Sequence, residues 1–337
     1  MIVTENESLA RHTTFHIGGP ARFFITCEST TDVADAVAFA KSQKRALLPL
    51  GGGSNVLVPD DGVEGVVTHI AIPGIYFEDT GDTVLVRVGA GVRWHDVVLA
   101  AVERNLWGIE NLATIPGTMG GAVVQNIGAY GTELSNVFSE ARVCNTETLL
   151  EESIDLANAA FGYRTSLFKT NRNYIVLEAT LRLEKKGTPI YGYADLAGFA
   201  DENPQASPRE IAAAVTQIRE RKFPSHGEEG TAGSFFKNPV VDEQTAAILR
   251  TRFPELPQRS QEHGGVKIPL AWILDNVLGL KGYEQNGVRL FEQQPLVLVA
   301  RPGTTAAAVD ALASDIGKRV ADEVGISIER EVETFKK

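Results

Sequence analysis

The sequence predicts a mixed α+β chain made of three successive segments. Three observations carry that prediction. Strand and helix patterns alternate from residue 21 to residue 70. A longer, strand-rich stretch begins near Ile72 and closes on a helical run at 207–223. A turn-rich stretch, PSHGEEGTAG (224–233), then reads as a linker before three more helical patterns. The 337 residues suffice for two or three domains, and the 43% hydrophobic and 22% charged shares are those of a folded globular chain.

In the first segment ARFFITCES (21–29) is rich in aromatic and β-branched residues and reads as a strand. TDVADAVAFAKSQK (31–44) places Val33, Ala36, Val37 and Ala40 at helical spacing, with Thr30 or Thr31 as the expected cap and Asp32 and Asp35 at its positive end. ALLPL (46–50) and VEGVVTHI (63–70) are buried strands, so this segment is a small β-α-β unit. In the second, TVLVRVGA (83–90), FSEARVCNTE (138–147) and YIVLEATLRLE (174–184) are strands and RWHDVVLAAVERN (93–105) is an amphipathic helix. Between them, residues 110–131 form a glycine-rich, nearly uncharged stretch expected to be a long loop. The helix at 207–223 opens on a Ser207 cap and Pro208. In the third, helices are expected at 242–253, 269–280 and 304–324, and strands at LVLVAR (296–301) and ISIEREVETF (326–335). The expected divisions are 1–71, 72–223 and 224–337, with the last strand returning to the first two.

Charge and cysteine content remove several classes. Thirty-two basic against 43 acidic residues give a net charge of −11, a poor match to a nucleic-acid backbone. Two distant cysteines, Cys27 and Cys144, exclude a disulfide scaffold and a cysteine-rich zinc site, and six histidines form no spaced ligand pair, so no metal is expected. The polar, acidic N-terminus lacks a signal-peptide core, and no apolar run approaches the ~20 residues of a membrane span. A cytoplasmic protein, monomeric and without membrane insertion, is the expectation. The dehydrogenase, P-loop, zincin and α/β-hydrolase motifs are missing.

Two glycine clusters remain. Gly51-Gly52-Gly53-Ser54-Asn55 follows a buried strand; glycines there let backbone N–H groups approach an anion, which is more than a plain turn requires. The second runs from Ile115 to Gly131 and holds Pro116, Gly117, Gly120, Gly121, Asn126 and Gly128 with almost no charge, which suits the flat, uncharged part of a ligand. Two such clusters suggest a dinucleotide held between them. Further along, Arg164 lies between Tyr163 and two hydroxyls in FGYRTS, a position from which a guanidinium can polarise a substrate carboxylate or carbonyl. Ser234, in GSFFKNP, has no partner histidine nearby, which disfavours a nucleophile and leaves a proton donor. Glu329 and Glu331 alternate in IEREV and are expected on one face of a strand.

In order along the chain, GGGSNVL, PGTMGG–QNIGAYG, GYRTS, GSFFKNP and EREV resemble the UDP-N-acetylenolpyruvoylglucosamine reductase family. The resemblance implies a two-part FAD-binding module of the vanillyl-alcohol-oxidase (PCMH) type and a C-terminal α+β substrate-binding domain. It implies tightly held, non-covalent FAD, NADPH as co-substrate, and reduction of the enolpyruvyl group of a UDP-sugar in peptidoglycan precursor synthesis. By it, Arg164 faces the substrate carboxylate, Glu331 assists enolate formation and Ser234 donates a proton. Tyr163, Tyr193, Lys222, Asn238 and Gln294 match substrate-holding positions; Gly53, Ser54, Asn55, Pro116, Gly117, Gly120, Gly121, Asn126 and Gly128 match FAD positions. IYGYADL (190–196) suggests the subgroup with an additional tyrosine loop over the substrate. That subgroup usually has a second tyrosine where this chain has Arg259, a residue suited to a phosphate contact. Two alternatives stay open: another FAD oxidase or dehydrogenase, and a non-catalytic nucleotide-sugar-binding regulator.

Overall fold

The computed structural model describes residues 1–224, 229–261 and 264–335. The first segment forms a four-stranded sheet in the order Val3–Ser8, Pro20–Cys27, Val63–Ile70, Leu47–Leu50. Its first pair is antiparallel and the other two are parallel. The helix Thr30–Ser42 packs on it through Val33, Ala36, Val37 and Ala40, all buried. Its cap is Ser29, one residue before the expected threonines. Ser29 Oγ accepts from the Asp32 amide at 3.1 Å and donates to the Asp32 carboxylate at 2.7 Å, a reciprocity that Thr30, already helical, lacks.

The second segment is a five-stranded antiparallel sheet in the order Glu151–Asp155, Phe138–Asn145, Tyr174–Glu184, Thr83–Gly89, Ile75–Asp79. Three strands of these two sheets went unread in the sequence: Val3–Ser8, Ile75–Asp79 and Glu151–Asp155. Each is a sheet edge and carries acidic residues, as edges that avoid mispairing do, so the alternation is weak. The 110–131 stretch is not a plain loop. It contains the helix Met119–Gln125 and the hairpin Gly128–Ala129/Thr132–Glu133. Gly120 and Gly121 mask that helix by lowering its propensity; a Cβ at Gly120 would press on Ala90 Cβ at 3.1 Å, a tight contact.

The helix Pro208–Lys222 starts as read, with Ser207 and Glu210 forming a capping box, and it ends on Arg219, Arg221 and Lys222, which complement its negative end. In the third segment Glu243–Arg252 and Ala306–Val324 are helices. The 269–280 run is helical over 270–277, where an α turn, Leu270–Trp272, passes directly into a π turn, Ile273–Val277. There Asn276 Nδ2 donates to the Trp272 carbonyl at 3.1 Å and competes with the helical backbone pattern. Gln294–Ala300 anchors a three-stranded meander.

Residues 326–335 do not form the expected strand; only Glu333–Thr334 does, parallel to Val56–Leu57 in the first segment. The Arg330 side chain is drawn to Asp310 and Ser314, while Ile326 and Val332 turn into the C-terminal core. Glu329 and Glu331 therefore diverge: Glu329 pairs with Lys237 at 3.0 Å, and Glu331 meets Arg164. The linker reading also changes. Residues 225–228 lie outside the described residues, but Gly230 bridges Ala300 and the Thr231 amide donates to Thr14 at 3.0 Å, so 229–233 are bound in place. Phe15 and Ile17 join Phe235 and Phe236 in the core of the third segment.

Candidate active site

One cleft, with a free volume near 380 Å³, collects the two glycine clusters and the three residues singled out for chemistry. Gly51, Gly52, Gly53, Ser54 and Asn55 line one wall, and Pro116, Gly117, Gly120, Gly121 and Gly128 another. The walls touch. Ser54 Oγ donates to the Pro116 carbonyl at 3.2 Å, and a Cβ on Gly52 would come 2.9 Å from Gly117 Cα. Only glycine permits that approach. Gly53 has φ +62°, in the left-handed region.

Asn126, expected at the cofactor, stands behind this wall. It is not among the cleft-lining residues; it caps the helix Met119–Gln125 with φ +43°, and its side chain is spent on Glu133, Gly162 and Ser135. It shapes the wall from behind.

Arg164, Ser234 and Glu331 come from three distant parts of the chain. Arg164 also has positive φ, +56°, which turns its side chain out of the 162–165 turn. Its Nε donates to Glu331 Oε1 at 2.9 Å and one terminal nitrogen donates to the Gly128 carbonyl at 2.6 Å. Asn55 Nδ2 donates to the Glu331 carbonyl at 3.1 Å, and the Glu331 amide donates to Phe235 at 2.8 Å. Glu331 is thus tied at once to the first glycine cluster, to Arg164 and to the residue after Ser234. Ser234 bridges Val297, and buried Phe235 and Phe236 fix the short extended segment that carries it.

None of the six substrate-assigned residues lines this cleft; they lie beyond it. Tyr163 adjoins Arg164, its hydroxyl interacts with Asn238, and burial raises its pKa. Asn238 Oδ1 also accepts from the Leu270 amide at 2.9 Å. Arg259 stands over the Tyr193 ring at 5.1 Å, and Tyr193 packs edge-on against Tyr130. Lys222 meets Asp195 at 2.5 Å. Gln294 stays apart at the start of its strand, its side chain near the Leu296 amide.

Sequence reasoning missed several cleft residues. Lys169, Arg172 and Arg219 line it and make it locally cationic in an acidic chain. Burial lowers the Arg219 pKa against an opposing hydrogen bond with Tyr130, whose own pKa burial pushes up to about 12. Arg219 lies three residues before Lys222 on one helix, a spacing that shares a face and was open to reading. Lys267 sits 3.6 Å over the Tyr163 ring and directly opposite Arg259 in a strand pair; no local signal marks it. Burial, then Arg164, lowers its pKa.

Residues 21–150 match the model of the FAD binding domain, and residues 225–335 that of the UDP-N-acetylenolpyruvoylglucosamine reductase C-terminal domain. The chain is 38% identical over 325 residues to the UDP-N-acetylenolpyruvoylglucosamine reductase of Cupriavidus pinatubonensis, covering 96% of each. It is 38% identical to that of Pseudomonas aeruginosa, covering 97% of each. This chain belongs to the UDP-N-acetylenolpyruvoylglucosamine reductase family. A crystal structure of the Thermus caldophilus enzyme shares the fold, with a TM-score of 0.68 at 24% identity over 99% of this chain and 100% of that one.

The cleft fits the FAD that the family model implies. The buried Thr118 Oγ1 in its wall has no partner among the described residues, and a Cβ on Gly51 would come 2.7 Å from it. A polar atom of a bound ligand would satisfy that hydroxyl. The glycine walls and the nearby cations suit a dinucleotide's phosphates. No helix of the described residues is long and apolar enough to cross a membrane, and no described group of three or more His, Cys, Asp or Glu is placed to hold a metal. Cys27 and Cys144 are buried, and burial raises both thiols, Cys27 to about 12.

Proposed function

We propose that this protein reduces the enolpyruvyl group of UDP-N-acetylglucosamine enolpyruvate to give UDP-N-acetylmuramate, a peptidoglycan precursor, with NADPH as reductant. The glycine walls, residues 51–55 and 116–121, would hold FAD, which would supply the hydride carrier between NADPH and the alkene. The observation that carries this reading is the meeting of Arg164 with Glu331 at 2.9 Å in the cleft that Ser234 and both glycine clusters also line.

Reduction at C3 leaves negative charge on C2 and the neighbouring carboxylate. The Arg164 guanidinium meets that carboxylate, and Glu331, bonded at Nε, holds the fork in orientation and supports the enolate. Such a preorganised group contributes about 3–4 kcal/mol of barrier lowering. The Ser234 hydroxyl gives its proton to C2. A hydroxyl is a weak acid, so the transfer relies on a strongly basic carbanion held against it. Tyr163, Tyr193, Lys222, Asn238, Arg259 and Gln294 hold the UDP portion, with Tyr193 on the tyrosine loop of its subgroup. Residues 1–71 and 72–223 form the FAD module and 224–337 the substrate domain. The cofactor is held without a covalent bond, and the enzyme works as a cytoplasmic monomer.

Spectroscopy and one assay test this. The purified protein is expected to be yellow and to oxidise NADPH only when the enolpyruvyl sugar is present. A colourless protein that takes up no added flavin, or NADPH oxidation indifferent to the sugar, contradicts it.

A further inference from the structure

The cation assigned to the substrate's diphosphate is already taken. Lys222, at the end of the helix Pro208–Lys222, is bound at 2.5 Å by the carboxylate of Asp195. Asp195 follows Tyr193 by two residues, and the Tyr193 ring occupies the second cation of the rim, Arg259, at 5.1 Å. The same short segment is fixed at its base, where Asn111 Nδ2 donates to the Ile190 carbonyl at 2.9 Å and to the Tyr130 carbonyl at 2.8 Å. One loop therefore covers both cations, one with an anion and one with an aromatic face. Neither member of the Lys222–Asp195 pair is deeply buried, with side chains 31% and 25% exposed, so an incoming anion has access and the pair is worth little to the fold.

We propose that Asp195 is a specificity-determining internal competitor: it occupies Lys222 in the free protein, and only a ligand that brings its own phosphate charge displaces it. This deepens the reading above and rests on it. A nucleoside without phosphates leaves the Lys222–Asp195 pair intact and gains nothing from Lys222. A nucleoside diphosphate, with more charge than one carboxylate, exchanges for Asp195. The carboxylate thereby lowers the affinity for every phosphate-bearing ligand while leaving the neutral nucleoside untouched.

Calorimetric titration of the flavin-loaded protein with UDP and with uridine tests this on Asp195→Asn, Lys222→Ala and the double variant. Asp195→Asn is expected to tighten UDP by about two- to fivefold, the range of a partly exposed ion pair, and to leave uridine unchanged. In the Lys222→Ala background the same change is expected to do nothing. The Michaelis constant for the UDP-sugar should fall in step with the UDP affinity while maximal turnover holds. If Asp195→Asn weakens UDP or leaves it unchanged, Asp195 orients Lys222 or is idle, and the proposal is overturned. If Lys222→Ala itself leaves UDP binding intact, the assignment of Lys222 to the diphosphate fails instead, and the two failures are told apart.

Discussion

Arg164 and Glu331, 167 positions apart in the chain, meet through a single hydrogen bond of 2.9 Å from Nε to Oε1. The contact spans the last segment of the chain and the turn that follows the second glycine cluster. It leaves the terminal guanidinium nitrogens for the Gly128 carbonyl and for a ligand. Glu331 is in turn fixed by its own backbone, through Asn55 and Phe235. Charge and position are therefore set before substrate arrives, which is what electrostatic catalysis requires.

Replacing Glu331 by Gln keeps the shape and removes the charge. Turnover is expected to fall about 10²–10³-fold, the usual effect of losing one preorganised group, while the Michaelis constant for the UDP-sugar changes little. Steady-state kinetics check it; a changed Michaelis constant with intact turnover would assign Glu331 to binding.

Gly52→Ala tests the glycine walls. The new Cβ, 2.9 Å from Gly117 Cα, meets backbone rather than a movable side chain, so the two loops must separate. Flavin affinity is expected to drop at least about tenfold, equivalent to about 1.4 kcal/mol. The ratio of flavin to protein absorbance after gel filtration reads this directly.

His69 gives a pH signature. It lies half-buried against Phe24 with His12 nearby, and burial, then His12, holds its pKa below 6.5. The folded state thus binds a proton less readily than the unfolded one. Its contribution to stability is complete above pH 6.5 and is lost as pH falls through the folded-state value. His69→Phe is expected to flatten the decline of the unfolding midpoint between about pH 7.5 and 5.5. Denaturant melts at the two pH values check it.

What the sequence disclosed and what it hid follow one physical line. Strands such as Val63–Ile70 and Tyr174–Glu184 appeared with their observed bounds, because their largely buried positions select β-branched and other apolar residues. The acidic edge strands Val3–Ser8, Ile75–Asp79 and Glu151–Asp155 stayed hidden because solvation, not packing, selects their residues, whereas the apolar edge Leu47–Leu50 was legible. Arg164, Ser234 and Glu331 were found through their surrounding motifs. Their convergence was not derivable from spacing, since Glu331 arrives on a chain end that crosses back to Val56–Leu57. Lys267 escaped because its partner, Tyr163, is distant in sequence and no local pattern encodes a contact made only on folding, whereas Arg219 shared a helix face with Lys222 and was open to reading. The cap role of Asn126 was not legible, because an αL cap and a cofactor loop call for the same small polar residue.

The central claim is a division of labour in which the flavin accepts hydride independently of Ser234 and the sugar is reduced only with its help. Stopped-flow absorbance of Ser234→Ala, following the two half-reactions separately, tests it most directly. Flavin reduction by NADPH is expected to proceed at the wild-type rate, while reoxidation by the enolpyruvyl sugar slows by about 10²-fold or more, within the range for removal of a general acid. Slow flavin reduction, or sugar-dependent reoxidation at the wild-type rate, would contradict the assignment.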